Sequence, residues 1–218
     1  MENLIIFGLG EMADVAYYYL SKVYNIVAFT VNKDFIKSQA FNGKPVVAFE
    51  DVENEFPPEK YKMFIAVGYS KVNAVRRDKY LEAKNKGYKF ISHVSKDAFV
   101  ADNVIIGENC FIFENSIIQP FVKIGNNCII WSGSLVAHHS VIQDHCFIAP
   151  HVAIAGACEI GEGTFIGINA TLRDHIKIGK YNVIGAGTLI LSNTEDYKVY
   201  IATPTKASKV LSNGLRRI

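Results

Sequence analysis

Every sixth residue from Val94 to Ile190 is aliphatic, seventeen positions without a break. The residue after it is glycine at 107, 125, 161, 167, 179 and 185. The residue four places after it is small or compact, with Ile176 and Asn182 as the exceptions. A period of six fits neither an amphipathic helix nor an alternating strand. It predicts short strands joined by tight corners over residues 94–192, each hexad one side of a prism and three sides to a turn. The aliphatic residue points inwards, glycine is expected to tolerate the corner dihedrals, and the small residue fills the narrow core. At ordinary strand spacing, five to six such turns give a prism about 27 Å long.

Residues 1–92 follow a different pattern. Asn3–Phe7 reads as a buried strand, followed by Gly8-Leu9-Gly10 and a helix from Met12 to about Lys22. Ile26–Val31 and Lys62–Val67 read as further strands, the latter ending at Gly68. Ser70 reads as the cap of a helix from Lys71 to Lys86, and Tyr88–Ile91 leads into the prism. Alternating strands and helices predict a parallel α/β domain of Rossmann-like type over 1–92, ahead of an all-β domain over 93–218 that ends in a C-terminal cap.

Composition narrows the class. Half the residues are hydrophobic, a fifth are charged and the net charge is +2, as in a soluble globular protein with no strong pull towards nucleic acid or acidic membranes. No apolar run approaches the roughly 18 residues of a membrane span. MENLIIFGLGEM carries no basic leader, so a cytoplasmic location is expected. Cys110, Cys128, Cys146 and Cys158 are separated by multiples of six and all fall in the small-residue column. None forms a C-x-x-C pair, so they read as packed thiols.

Two stretches carry candidate chemistry. Gly8-x-Gly10 at a strand-to-helix turn offers backbone N–H groups to a phosphate, although a tight turn alone also calls for glycine. Ala13 stands where a dinucleotide fingerprint has its third glycine, and Asn32 ends the second strand without an acid, so NAD is not expected. Five of the six histidines lie in the repeat, at 138, 139, 145, 151 and 175. His139, His145 and His151 are spaced by six and so lie on successive sides of the prism, which keeps them from closing on one metal ion.

The repeat resembles the hexapeptide-repeat, left-handed β-helix acyltransferases, with their aliphatic-Gly-x-x-small-x signature. A short domain ahead of such a helix is similar to the bacterial nucleotide-sugar N-acetyltransferases, sialic-acid-acetyltransferase-like and bacillosamine-pathway-like, and the two parts cover nearly the whole chain. The resemblance implies a homotrimer with ligand sites between neighbours. It implies acetyl-CoA as co-substrate, no metal, and a nucleotide-linked amino sugar as acceptor, a 4-amino-4,6-dideoxy sugar for surface glycan or O-antigen (lipopolysaccharide) synthesis. Gly8, Gly10, Asn32 and Gly68 are the implied nucleotide-sugar residues. Leu135-Val-Ala-His138-His139-Ser-Val-Ile142 matches the family segment holding the general base, which falls on His138. His139 stands where relatives often carry Glu, and His145, one hexad on, is a second candidate. Gly156 and Ile168 correspond to family segments that meet coenzyme A, although glycine also serves the corners of this fold, and Lys206 and Lys209 are either contacts to its phosphates or a solvated basic tail. Glu11 and Met12 depart from the Gly and His common after the first turn, and the acidic pair after the second strand is missing. A sugar O-acetyltransferase and a non-catalytic β-helix scaffold are the alternatives.

Overall fold

A computed structural model describes residues 1–207, 209 and 212 of the chain; residues 208, 210, 211 and 213–218, the end of the expected C-terminal cap, lie outside the described residues. Residues 93–200 form a left-handed parallel β-helix of two-residue strands. Face one carries seven strands, from His93–Val94 to Val199–Tyr200, and face two carries six, from Phe99–Val100 to Leu189–Ile190. Face three carries five, from Ile105–Ile106 to Lys177–Ile178. Strands pair in parallel with the one 18 residues later, as Phe111 with Ile129 and Leu135 with Ala153, except that Val183 pairs with Val199, 16 residues on. From Val100 to Ile190 the inward aliphatics form one continuous core with the four free, buried cysteines, while Val94 at the open end is exposed.

The small-residue column does more than fill space. Sγ of Cys110, Cys128, Cys146 and Cys158 each reaches the carbonyl oxygen 15 residues on, at 3.0–3.3 Å. Hydroxyls of Ser116, Ser134, Ser140 and Thr164 do the same at 2.9–3.2 Å. A short donor here ties each coil to the next in a core too narrow for longer side chains.

Glycine's role in the repeat differs from the expectation. None of the glycines directly after the aliphatic residue has a positive φ. A methyl group at Gly161 would lie 2.6 Å from the Gly179 carbonyl carbon and from Lys180 N, and one at Gly167 2.7 Å from Ala186 N. Close approach of the next coil excludes a side chain there. The left-handed corner residue falls two places later and is mostly not glycine: Asn109, Asn127, His139, His145, His151 and His175 all have φ between 54° and 65°. Asn and His are among the residues that tolerate this region best, which gives four of the repeat's histidines a conformational reason to be there.

Residues 1–92 do not build the expected Rossmann-like domain. Six strands form a small mixed sheet in the order β3-β4-β2-β1-β5-β6. They are β1 (Asn3–Phe7), β2 (Asn25–Val31), β3 (Ala40–Phe41), β4 (Lys44–Ala48), β5 (Lys62–Ile65) and β6 (Lys89–Phe90). The α-helices are α1 (Glu11–Leu20), the four-residue α2 (Val52–Glu55) and α3 (Ala74–Asn85). The alternation that a doubly wound sheet requires fails between β2 and β5. There Asn42 and Gly43, both at positive φ, turn an antiparallel hairpin, and Pro57-Pro58 follows the single turn of α2. Helix α3 also starts later than expected, because Lys71, Val72 and Asn73 are left-handed at φ 50°, 51° and 64°. The sheet and α1 pack on face one, where Leu4, Ile6, Ala16 and Phe64 share a core with Phe111, Phe113, Ile129 and Phe147. No helix of the described residues is long and apolar enough to cross a membrane.

Candidate active site

The carboxyl ends of β1, β2 and β5 face the β-helix across a cavity of about 950 Å³. Crevices beyond the carboxyl ends of parallel strands are the usual ligand sites of open sheets. Gly8, Gly10, Asn32 and Gly68 all line this one cavity. Their reasons for being glycine differ. Gly8 has φ 132° and a methyl there would sit 2.6 Å from Ala66 O, so the turn itself demands it. Around Gly10 and Gly68 nothing lies within 4 Å of an added methyl, so the missing side chains widen the cavity.

The opposite wall is aromatic. Trp131 and Phe147 project outwards from face one, and Tyr69 packs its ring 5.0 Å from Phe147 and 4.9 Å from Phe165. Phe35 and Phe41 close the side, with Lys37 and Lys79 as cationic lining. Asn32 donates from Nδ2 to Glu50 Oε1 at 2.8 Å, and the Lys33 N–H donates to Oε2 at 3.0 Å. Burial pushes the Glu50 carboxyl up, but these hydrogen bonds outweigh it and hold it below the usual range. Asn32, which lines the cavity, is thereby tied to Glu50. Glu11, in the first turn of α1, sets a carboxylate beside the helix N-terminus, which opposes an anion bound there.

His138 and His139 occupy the edge between faces two and three, exposed to solvent. Their Nδ1 atoms are 3.1 Å apart, so one must donate and the other accept. His139 stacks on Phe121 of the preceding coil at 4.6 Å, and the His138 backbone N–H donates to Gln119 Oε1 at 3.0 Å. Gly156 lies under the His138 ring: a methyl there would be 2.8 Å from Cε1 and 3.0 Å from Nε2.

The remaining candidates are elsewhere. His145 is buried on the edge between faces three and one, its Nδ1 2.9 Å from Asn127 Nδ2 and its ring against Tyr80. Burial lowers its pKa and favours the neutral ring. Ile168 and His151 sit on the edge between faces one and two, and Lys206 is exposed beyond the last strand. Among the described residues no group of His, Cys, Asp and Glu could hold a metal ion. The inward-column reading missed Trp131, Phe147, Tyr69 and Arg76. A signal for the aromatic wall was present, since Phe111, Phe147 and Phe165 fall on one outward 18-residue series and Phe113 and Trp131 on another.

Residues 103–138 and 157–192 match the family model for bacterial transferase hexapeptide (six repeats). No curated protein matches the chain. Among solved structures, it is similar to PerB from Caulobacter crescentus in complex with CoA and GDP-perosamine, at 26% identity and TM-score 0.81, covering 94% of this chain and 97% of that one. A mutant of perosamine N-acetyltransferase from Caulobacter crescentus, also with CoA and GDP-perosamine, is 25% identical at TM-score 0.84, covering 94% and 96%. The acetyltransferase domain of PglB from Neisseria gonorrhoeae FA1090, in complex with acetyl coenzyme A, shares the fold at 24% identity and TM-score 0.83, covering 94% and 98%.

Proposed function

We propose that this chain is an acetyl-CoA-dependent N-acetyltransferase whose acceptor is a nucleotide-linked amino sugar of the 4-amino-4,6-dideoxy class. The observation that carries the reading is likeness over nearly the whole of both chains to a protein holding CoA and GDP-perosamine. The chain's own residues agree chemically. Residues 1–92 and 93–218 act as two units, with the nucleotide sugar in the cavity that Gly8, Gly10, Asn32 and Gly68 line. Coenzyme A lies along the β-helix near Gly156, Ile168 and Lys206.

In the transfer step the sugar amine attacks the thioester carbon and a C–N bond forms. Nε2 of His138 takes the proton the amine sheds, the C–S bond breaks, and the protonated ring passes that proton to the leaving sulfur to release the thiol. For Nε2 to accept, Nδ1 of His138 must carry its proton and donate it to Nδ1 of His139. His139 thus stands in for a carboxylate as the partner that orients the base.

The cavity opens on face one, whereas His138 lies on the edge that face one does not touch, a full prism side away and about 15–20 Å distant. One copy therefore supplies the sugar site and a neighbour the base, and a homotrimer with parallel prisms satisfies this by closed symmetry. The test is thiol release from acetyl-CoA with nucleotide-linked amino sugars and their hydroxyl analogues. Release with the amine alone supports the reading. Release with the hydroxyl alone would make the protein an O-acetyltransferase.

A further inference from the structure

Arg76 is fully buried, yet all five of its guanidinium N–H groups are satisfied by neutral oxygens. Nη1 donates to Gly68 O at 2.8 Å and to Asn73 Oδ1 at 2.9 Å. Nη2 donates to His145 O at 2.8 Å and Cys146 O at 3.1 Å, and Nε donates to Asn127 O at 3.3 Å. Asn73, also fully buried, donates from Nδ2 to Gly163 O at 2.9 Å. Asn127, His145 and Gly163 are corner residues of three successive coils on one edge of the prism. The two side chains together grip that edge.

The grip reaches both walls of the cavity. Gly68, whose carbonyl Arg76 holds, lines it on the sheet side, and Phe147, next to Cys146, lines it on the β-helix side. Between Gly68 and Asn73 runs the left-handed stretch Lys71-Val72-Asn73, in which a β-branched valine at φ 51° is costly. Backbone held in such a state persists only where its surroundings over-determine it, and it collects at ligand sites. Here it fixes Tyr69 against Phe147 and Phe165.

We propose that Arg76 and Asn73 are positioning residues for the acceptor cavity: they lock residues 68–73 onto the β-helix edge and so set the spacing between Gly68–Tyr69 and the Trp131–Phe147 wall. The identity of the cavity's ligand rests on the proposed function; the clamp itself does not.

Trp131 is the only tryptophan of the chain and lines the cavity, so its fluorescence reports on that wall directly. The test compares the full chain with Arg76→Lys, which keeps the charge but not the five-donor fork, and with Asn73→Gly, which keeps the backbone conformation but loses both side-chain bonds. Acrylamide quenching of Trp131 is expected to rise about twofold in either variant that still melts cooperatively. With the amino-sugar substrate, KM is expected to rise about tenfold, while kcat and the KM for acetyl-CoA stay within about twofold. Unchanged quenching in the folded variants, or equal changes in both KM values, would overturn the clamp. If the wild type acetylates no amino sugar, the proposed function fails, and the quenching comparison still decides the clamp.

Discussion

A methyl group at position 156 would lie 2.8 Å from Cε1 of His138, against the flexible end of a side chain and not against backbone. Gly156→Ala is therefore expected to displace the ring while leaving the coils intact. In the proposed mechanism that lowers kcat about tenfold with the melting temperature within about 2 °C of wild type. Steady-state kinetics beside a thermal melt check it. His138→Ala removes the proposed base outright and should cost roughly 10²–10⁴ in kcat with little change in KM for acetyl-CoA. His139→Ala should cost less, because it removes the partner that fixes the tautomer and leaves the base in place. A larger loss for His139→Ala would reverse the two roles. At this scale the sequence was partly legible. The adjacency of His138 and His139 is written in the chain, but the Nδ1 contact and the bed of Gly156 depend on stacking at a distance of 18 residues.

Among the elements, the glycines after each inward aliphatic separate two explanations that sequence alone cannot. If they served corner dihedrals, alanine would strain the backbone. In fact an added methyl at Gly161 meets backbone of the next coil at 2.6 Å, which cannot move without parting the coils. Gly161→Ala should cost about 1–3 kcal/mol, read as a lower urea midpoint. The left-handed turn before α3 predicts the opposite sign. Val72→Gly should raise stability by about 1 kcal/mol, since glycine accepts φ 51° without the steric cost. A loss of stability instead would contradict that backbone conformation. The hairpin of β3 and β4 is legible in the sequence, since Asn42-Gly43 is the dipeptide that favours a two-residue hairpin turn. The late start of α3 was not legible, because it is Asn73 binding Gly163 on the distant β-helix that holds the turn.

Across the whole molecule, two histidines couple folding to pH: His93, half-buried against Tyr19 of α1 and Phe111, and His145, buried against Tyr80 of α3. Burial lowers the pKa of His93 and of His145 below the ordinary 6.5. Above about 6.5 both are neutral in the folded and unfolded chain, so they impose no penalty. As pH falls below that value the unfolded chain takes up protons that the folded chain resists, and stability declines. His145→Asn keeps a residue tolerant of the left-handed corner and removes one titrating ring. Its urea stability should therefore fall less between pH 7.5 and 5.5 than that of the wild type. The proposed assembly is tested by light scattering in dilute solution, where three chain masses are expected and one would separate the cavity from its base.

What the sequence determined by itself is the prism. A hexad repeat is a local rule applied again and again, so the inward aliphatics, the small donors and the 18-residue coil follow from spacing alone. Tertiary structure alone decided the rest. The sheet of residues 1–92 is mixed because a hairpin and a one-turn helix replaced the alternation that a parallel sheet requires. The cavity exists because the carboxyl ends of β1, β2 and β5 meet an aromatic face of the prism. Arg76 acquires its place from carbonyl oxygens up to 70 residues away, and backbone oxygens leave no mark in a sequence. Periodic packing can be read along the chain, but a site built across two units depends on how they come together.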